Sequence, residues 1–188
     1  MASNNYHFIT NWRVRGTCEE VATVLGDALA LARWWPSVYL EVTEIAPGDP
    51  VTGLGRQIGL FTKGWLPYTL RWQFTVTESN FPHGFKIIPR GDFVGRGIWT
   101  LVQQGDQTVV TYDWKITAEK GLLKHLSFIM KPIFGANHEW AMARGEESLQ
   151  LELRRRRATT QTELDAIPAP PGPTFTRRAR SESTVMAA

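Results

Sequence analysis

Tyr68-Thr69-Leu70-Arg71-Trp72-Gln73-Phe74-Thr75-Val76 alternates large apolar and polar side chains over its whole length. Successive residues of a strand point to opposite faces, so this stretch reads as a half-buried strand whose inner face carries Tyr68 and Trp72. The pattern returns in Val110, Tyr112, Trp114 and Ile116, set against Val109, Thr111, Asp113 and Lys115. One face of this sheet meets water and the other is aromatic.

Working outward, further strands are expected at Tyr39–Ile45, Gly55–Phe61, Gly84–Pro89, Gly95–Gln103 and Thr108–Thr117. They are separated by Pro47-Gly48-Asp49-Pro50, Lys63-Gly64, Phe81-Pro82-His83-Gly84, Arg90-Gly91-Asp92 and Gly105-Asp106. Short turns between consecutive strands imply an antiparallel meander. Ahead of it, Tyr6–Arg15 places Tyr6, Phe8, Thr10, Trp12 and Val14 on one strand face. Thr17-Cys18-Glu19-Glu20 has the form of a capping box, which predicts a helix start. A second short helix over Ala30–Trp35 ends at Pro36.

From Leu122 to Arg157 the period is helical, with an interruption expected at Pro132. Leu122, Leu123, Leu126, Ile129 and Met130 form a separate apolar turn or short helix. Beyond the proline, Ile133, Phe134, Asn137, Trp140, Ala141, Arg144, Ser148 and Leu151 share one broad face. A helix of ~25 residues is nearly 40 Å long, enough to cross the sheet. Residues 158–188 hold Thr, Ala, Pro and Arg with few large apolar groups, so a disordered tail is expected there, after a single domain over 1–157.

This element order resembles the START-like, or SRPBCC, helix-grip superfamily: an α+β fold in which a curved antiparallel sheet wraps a long C-terminal helix, with two short helices after the first strand. Trp34-Trp35-Pro36, Gly95-Arg96-Gly97-Ile98-Trp99-Thr100-Leu101 and the helix segment Asn137–Leu149 are similar to its polyketide cyclase/dehydrase and lipid-transport branch. The resemblance covers about residues 4–157. It implies a cavity between sheet and helix that holds lipids, polyketides or other apolar molecules, with ring closure in some members and transport or sensing in many.

Hydrophobic residues are 43% of the 188 and charged residues 21%, ordinary for a globular chain, while eight Trp and nine Phe are not. The isoelectric point near 9.2 suggests nucleic acid at first sight. Yet from Arg154 onward seven Arg face three acids, so the +3 of the whole chain leaves −1 for residues 1–153. The basicity belongs to the end of the last helix and the tail, and no nucleic-acid role is expected. Four arginines there suit the negative end of a helix dipole, or peripheral contact with an anionic membrane or acidic partner. Cys18 alone allows no intrachain disulfide, which fits a reducing cytoplasm, and no signal peptide or membrane span is read.

The inward aromatics Trp12, Tyr68, Trp72, Trp99 and Trp114, with Trp140 on the helix, suit stacking on a flat ligand or plain core filling. Asn137 and Arg144 in an apolar stripe need a partner, either a ligand oxygen or an internal group. Tyr112 is a candidate proton donor to a ketone or enolate. The four His have no companion at metal-ligand spacing, and Gly-Asp-Phe-Val-Gly-Arg-Gly over 91–97 is not followed by a helix, so neither metal nor cofactor is expected. The leading expectation is a binder of a small hydrophobic ligand. The alternatives are an aldol cyclase or aromatase, with Tyr112, Asn137 or Arg144 steadying an enolate, and an interaction module docking through its basic C-terminal segment.

Overall fold

A computed structural model describes residues 4–119 and 121–175. Its elements run β1 (Asn5–Arg15), α1 (Cys18–Gly26), a 3-10 turn (Ala28–Ala30), α2 (Leu31–Trp34), β2 (Tyr39–Ala46), β3 (Gln57–Lys63), β4 (Thr69–Asn80), β5 (Gly84–Gly91), β6 (Phe93–Gln104), β7 (Gln107–Ala118), α3 (Gly121–Arg157) and α4 (Gln161–Asp165). The strands form one antiparallel sheet ordered β1-β7-β6-β5-β4-β3-β2, gripping α3, as the resemblance implies.

Local chemistry explains most boundaries. Thr17 and Glu20 close the expected capping box on α1. At the start of β6, Gly95 has φ +146°, and a Cβ there would run into the Lys115 carbonyl, so only glycine lets this strand approach β7 as it bends. Register stacks the inward side chains in rows. Thr10 lies opposite Tyr112, which lies opposite Trp99; Phe8 lies opposite Trp114, which lies opposite Gly97. The core joins these rows to Val21, Val24, Leu31 and Trp34 of the short helices and to Leu149 and Leu153 of α3.

Two expectations are corrected. α3 continues through Pro132 without the predicted break. A proline forfeits one ladder bond but keeps a helical φ, so neighbouring turns can carry it. The packing expected of Leu122, Leu123, Leu126, Ile129 and Met130 lies outside the described residues.

Within the segment expected to be a disordered tail, Thr160 and Glu163 form a second capping box and start α4, and the chain then returns to the β3–β4 connection. There the Thr174 hydroxyl donates to the Gly64 carbonyl at 3.2 Å. Apolar content gives no sign of this, because the segment is held by caps and backbone contacts. Arg177, Arg178 and Arg180 lie outside the described residues.

Candidate functional site

Between the sheet and the part of α3 that carries residues 134–142 lies a cavity of ≈ 140 Å³. Its walls are aromatic: Trp72 and Trp114 from the sheet, Trp35 from the α2–β2 connection, and Phe8, Phe93 and Phe134. All four tyrosines of the chain, Tyr6, Tyr39, Tyr68 and Tyr112, line it as well. The remaining polar groups on its wall are Thr62, Lys63, Asn137 and His138.

Each of these groups is set by its neighbours. The Tyr112 ring stacks between Trp99, 4.0 Å away, and Trp114, 5.4 Å away. A Cβ on Gly97 would stand 2.8 Å from its hydroxyl and 2.9 Å from Trp114, so the missing side chain makes room for both. Burial raises the Tyr112 pKa well above that of a free phenol and raises those of Tyr39 and Tyr6; burial, and then Tyr6, push Tyr68 up to about 12. All four are therefore neutral hydrogen-bond donors at ordinary pH, and the Tyr6 hydroxyl has no partner among the described residues.

The His138 ring stacks on Phe8 at 4.2 Å with Nε2 3.4 Å from Thr10 Oγ1, and burial lowers its pKa to about 4. It is a neutral imidazole. Asn137 Oδ1 accepts the Leu66 N–H at 3.2 Å, which uses one of its two lone pairs and leaves donor capacity on the amide nitrogen. The amide fits there because position 64 is glycine; a Cβ would overlap it. Trp72 Nε1 donates to Thr62 Oγ1 at 3.0 Å. Lys63 is buried at the end of β3, donates to the Thr174 carbonyl, sits 5.4 Å from the Phe175 ring centroid, and has its pKa lowered by burial.

Of the residues singled out in the sequence, Tyr68, Trp72, Trp114, Tyr112 and Asn137 meet in the cavity. Trp12 does not line it; it is core, 5.6 Å from Trp35 and 5.4 Å from Trp99. Trp99 stands behind Tyr112 and stacks on Phe85. Trp140 is half-buried off the cavity wall.

Arg144 is corrected outright: its side chain is 42% exposed and pairs with Glu147 at 2.7 Å. The inward stripe of α3 is turned, running through Phe134, His138, Ala141, Met142, Gly145, Leu149 and Leu153. Gly145 fixes this phase, since any Cβ there would overlap the Trp35 ring.

Sequence reasoning missed Lys63 and His138. Lys63 falls out of phase with Ile58, Leu60 and Thr62, and is buried because the strand ends beneath the returning chain. His138 lay just off the presumed stripe.

The basic end of α3 is largely engaged within the chain. Arg156 bonds Glu152 at 2.8 Å and Asp27 at 3.0 Å, Arg157 makes two 2.8 Å bonds to Glu20, and Arg155 donates to the Pro168 carbonyl. Arg33 completes the grip with two 2.8 Å bonds to Glu152. Among the described residues, no group of three His, Cys, Asp or Glu is placed to hold a metal ion, and no helix is long and apolar enough to cross a membrane.

No protein-family model matches the chain, and no curated protein does. Solved structures do. The Zhui aromatase/cyclase from Streptomyces sp. R1128 superposes with a TM-score of 0.61 at 17% identity, covering 82% of this chain and 97% of that one. TTHA0849 from Thermus thermophilus gives 0.63 at 14% identity, over 81% and 100% of the two chains. Norcoclaurine synthase from Thalictrum flavum, solved with dopamine and hydroxybenzaldehyde, gives 0.53 at 16% identity, over 83% and 90%. At these identities the likeness is one of fold: the chain has the helix-grip fold.

Proposed function

We propose that this protein binds a small aromatic molecule bearing oxygen acceptors in the cavity between its sheet and α3. The observation that carries this reading is the convergence of every tyrosine in the chain, as a neutral phenol, on one cavity walled by Trp and Phe. Aromatic walls favour flat ligands through stacking, and phenols facing a cavity find partners in carbonyl or hydroxyl oxygens. Size narrows the class. A cavity of about 150 Å³ holds a benzene ring, so ≈ 140 Å³ seats one ring, with a second reaching into the mouth, and favours a small ring system over an extended polyketide or a whole lipid.

The test is isothermal titration with 2-naphthol, alongside Ala141→Phe, which fills the cavity from the helix side. Wild type is expected to bind at micromolar concentrations and the filled variant not at all, with unchanged circular dichroism. Absence of binding to wild type, or equal binding to the variant, would overturn the reading.

A second reading is proton-transfer catalysis, such as enolisation or aldol closure, favoured by a neutral imidazole and four phenols facing the same volume. His138 Nε2 or Nδ1 would remove the proton and Tyr112 would donate to the enolate oxygen. The aromatase/cyclase likeness supports this choice of chemistry. Deuterium exchange at the α-carbon of 2-tetralone, accelerated by wild type and abolished in His138→Phe, is the expected sign. Exchange no faster than in buffer would exclude it.

A further inference from the structure

The polar inventory of the cavity tilts toward donors. Its four phenols are neutral donors, Asn137 spends an acceptor lone pair on the Leu66 N–H, the neutral His138 imidazole offers a single acceptor nitrogen, and Lys63 is the one cationic residue on the wall among the described residues. No carboxylate lines the wall among the described residues. Such a surface complements a ligand rich in acceptors and negatively charged.

Lys63 is the sharpest element of that surface. Its amine is buried at the end of β3, and among the described residues the groups it meets are the Thr174 backbone carbonyl and the face of Phe175. Neither carries a formal charge, and burial is the one influence that moves its pKa, downward. A buried ammonium without a counter-charge is costly, and an anion bound beside it would relieve that cost.

The chain that caps it is lightly held. The Thr174 hydroxyl reaches the Gly64 and Trp65 carbonyls at 3.2 and 3.4 Å, while Phe175 is 77% exposed. A charge-assisted bond from ammonium to carboxylate is stronger than one to a neutral carbonyl, which favours an acid over the cap as the partner of Nζ.

We propose that Lys63 is the anion-recognition point of the cavity, and that the ligand is an aromatic acid whose carboxylate replaces the Thr174 carbonyl on Nζ. This rests on the reading of the cavity as an aromatic-ligand site and adds the ligand's charge and its place of contact. It also gives the returning segment a role, as an internal stand-in that holds the amine until the acid arrives.

Titration of the full chain with 2-naphthoate and with 2-naphthamide, alike in their rings and different in charge, tests it. Wild type is expected to prefer the acid about tenfold or more. Lys63→Met brings the acid down to the level of the amide, while Lys63→Arg keeps the preference. Phe175→Ala, which removes the ring beside the ammonium and touches no cavity wall, tightens naphthoate a few-fold and leaves naphthamide as it was.

Equal binding of the two probes by wild type, or a preference that survives Lys63→Met, overturns the anion site while naphthamide binding keeps the cavity reading intact. Naphthoate binding unchanged or weakened in Phe175→Ala overturns the exchange with the cap. If neither probe nor 2-naphthol binds, the cavity reading itself falls.

Discussion

The two halves of α3 meet the same sheet in opposite ways. Towards the C-terminus, Leu149 and Leu153 are buried, Glu152 is 1% exposed between Arg33 and Arg156, and Arg157 is tied to Glu20. Around residues 134–142 the helix stands off, and the space is left to phenols, an imidazole and an amine. Direct packing with paired charges stabilises the first half. The second leaves the Tyr6 hydroxyl without a partner among the described residues and encloses empty space, as a ligand site does, at a cost in stability that the closed half must offset.

Glu152→Ala should give the largest break in this contrast. It removes the carboxylate shared by two arginines and leaves a void, and is expected to cost about 3 kcal/mol, the low end for a buried pair because Arg33 can turn to water. Urea unfolding reads it as a lowered midpoint. Ligand binding by the folded fraction should be unchanged, since the cavity is elsewhere on the helix.

Acid should separate the halves by window. His138 holds its proton only below about 4, whereas an unfolded histidine takes one near 6.5. The unfolded state therefore binds more protons between those values, and stability falls as pH drops through that range, by no more than about 3 kcal/mol. Bonding to Arg157, and then to the Thr17 backbone, lowers Glu20 to about 2, so the closed half loses its contribution only from about 4.5 downward. Denaturation midpoints measured against pH should show the upper window vanish in His138→Phe and the lower one persist. An unchanged upper window would place the acid sensitivity elsewhere.

The smallest effects offer the cleanest comparison, because one substitution is made twice. Gly145→Ala drives a methyl into Trp35 and is expected to destabilise by about 2 kcal/mol. At Gly135 a Cβ meets nothing within 4 Å, so Gly135→Ala should stabilise by ~0.7 kcal/mol through helix propensity. Opposite signs by urea unfolding would confirm that position 145 is packed shut and position 135 is not.

The same contrast separates what could be read in the sequence from what could not. Strand positions, the α1 capping box and the aromatic inner face follow from neighbours in sequence, and Tyr68, Trp72, Trp114 and Tyr112 reached the cavity on period alone. The phase of α3 did not, because it is set by Gly145 against Trp35, a contact across 110 residues. That error of part of a turn placed Arg144 inside and left His138 out. Lys63 was hidden for a similar reason: its burial comes from Thr174, far along the chain in a segment whose composition promises nothing.

The chain also carries its own lamp. The rings of Trp72 and Trp114 lie 5.7 Å apart on the cavity wall, close enough for excitation absorbed by one indole to migrate to the other. A single occupant that quenches either one therefore darkens both, and Trp35 on the same wall, 5.6 Å from Trp12 and 5.5 Å from Trp34, extends the effect to the indoles of the core. Emission colour as well as brightness would then report occupancy, without any label attached to the protein.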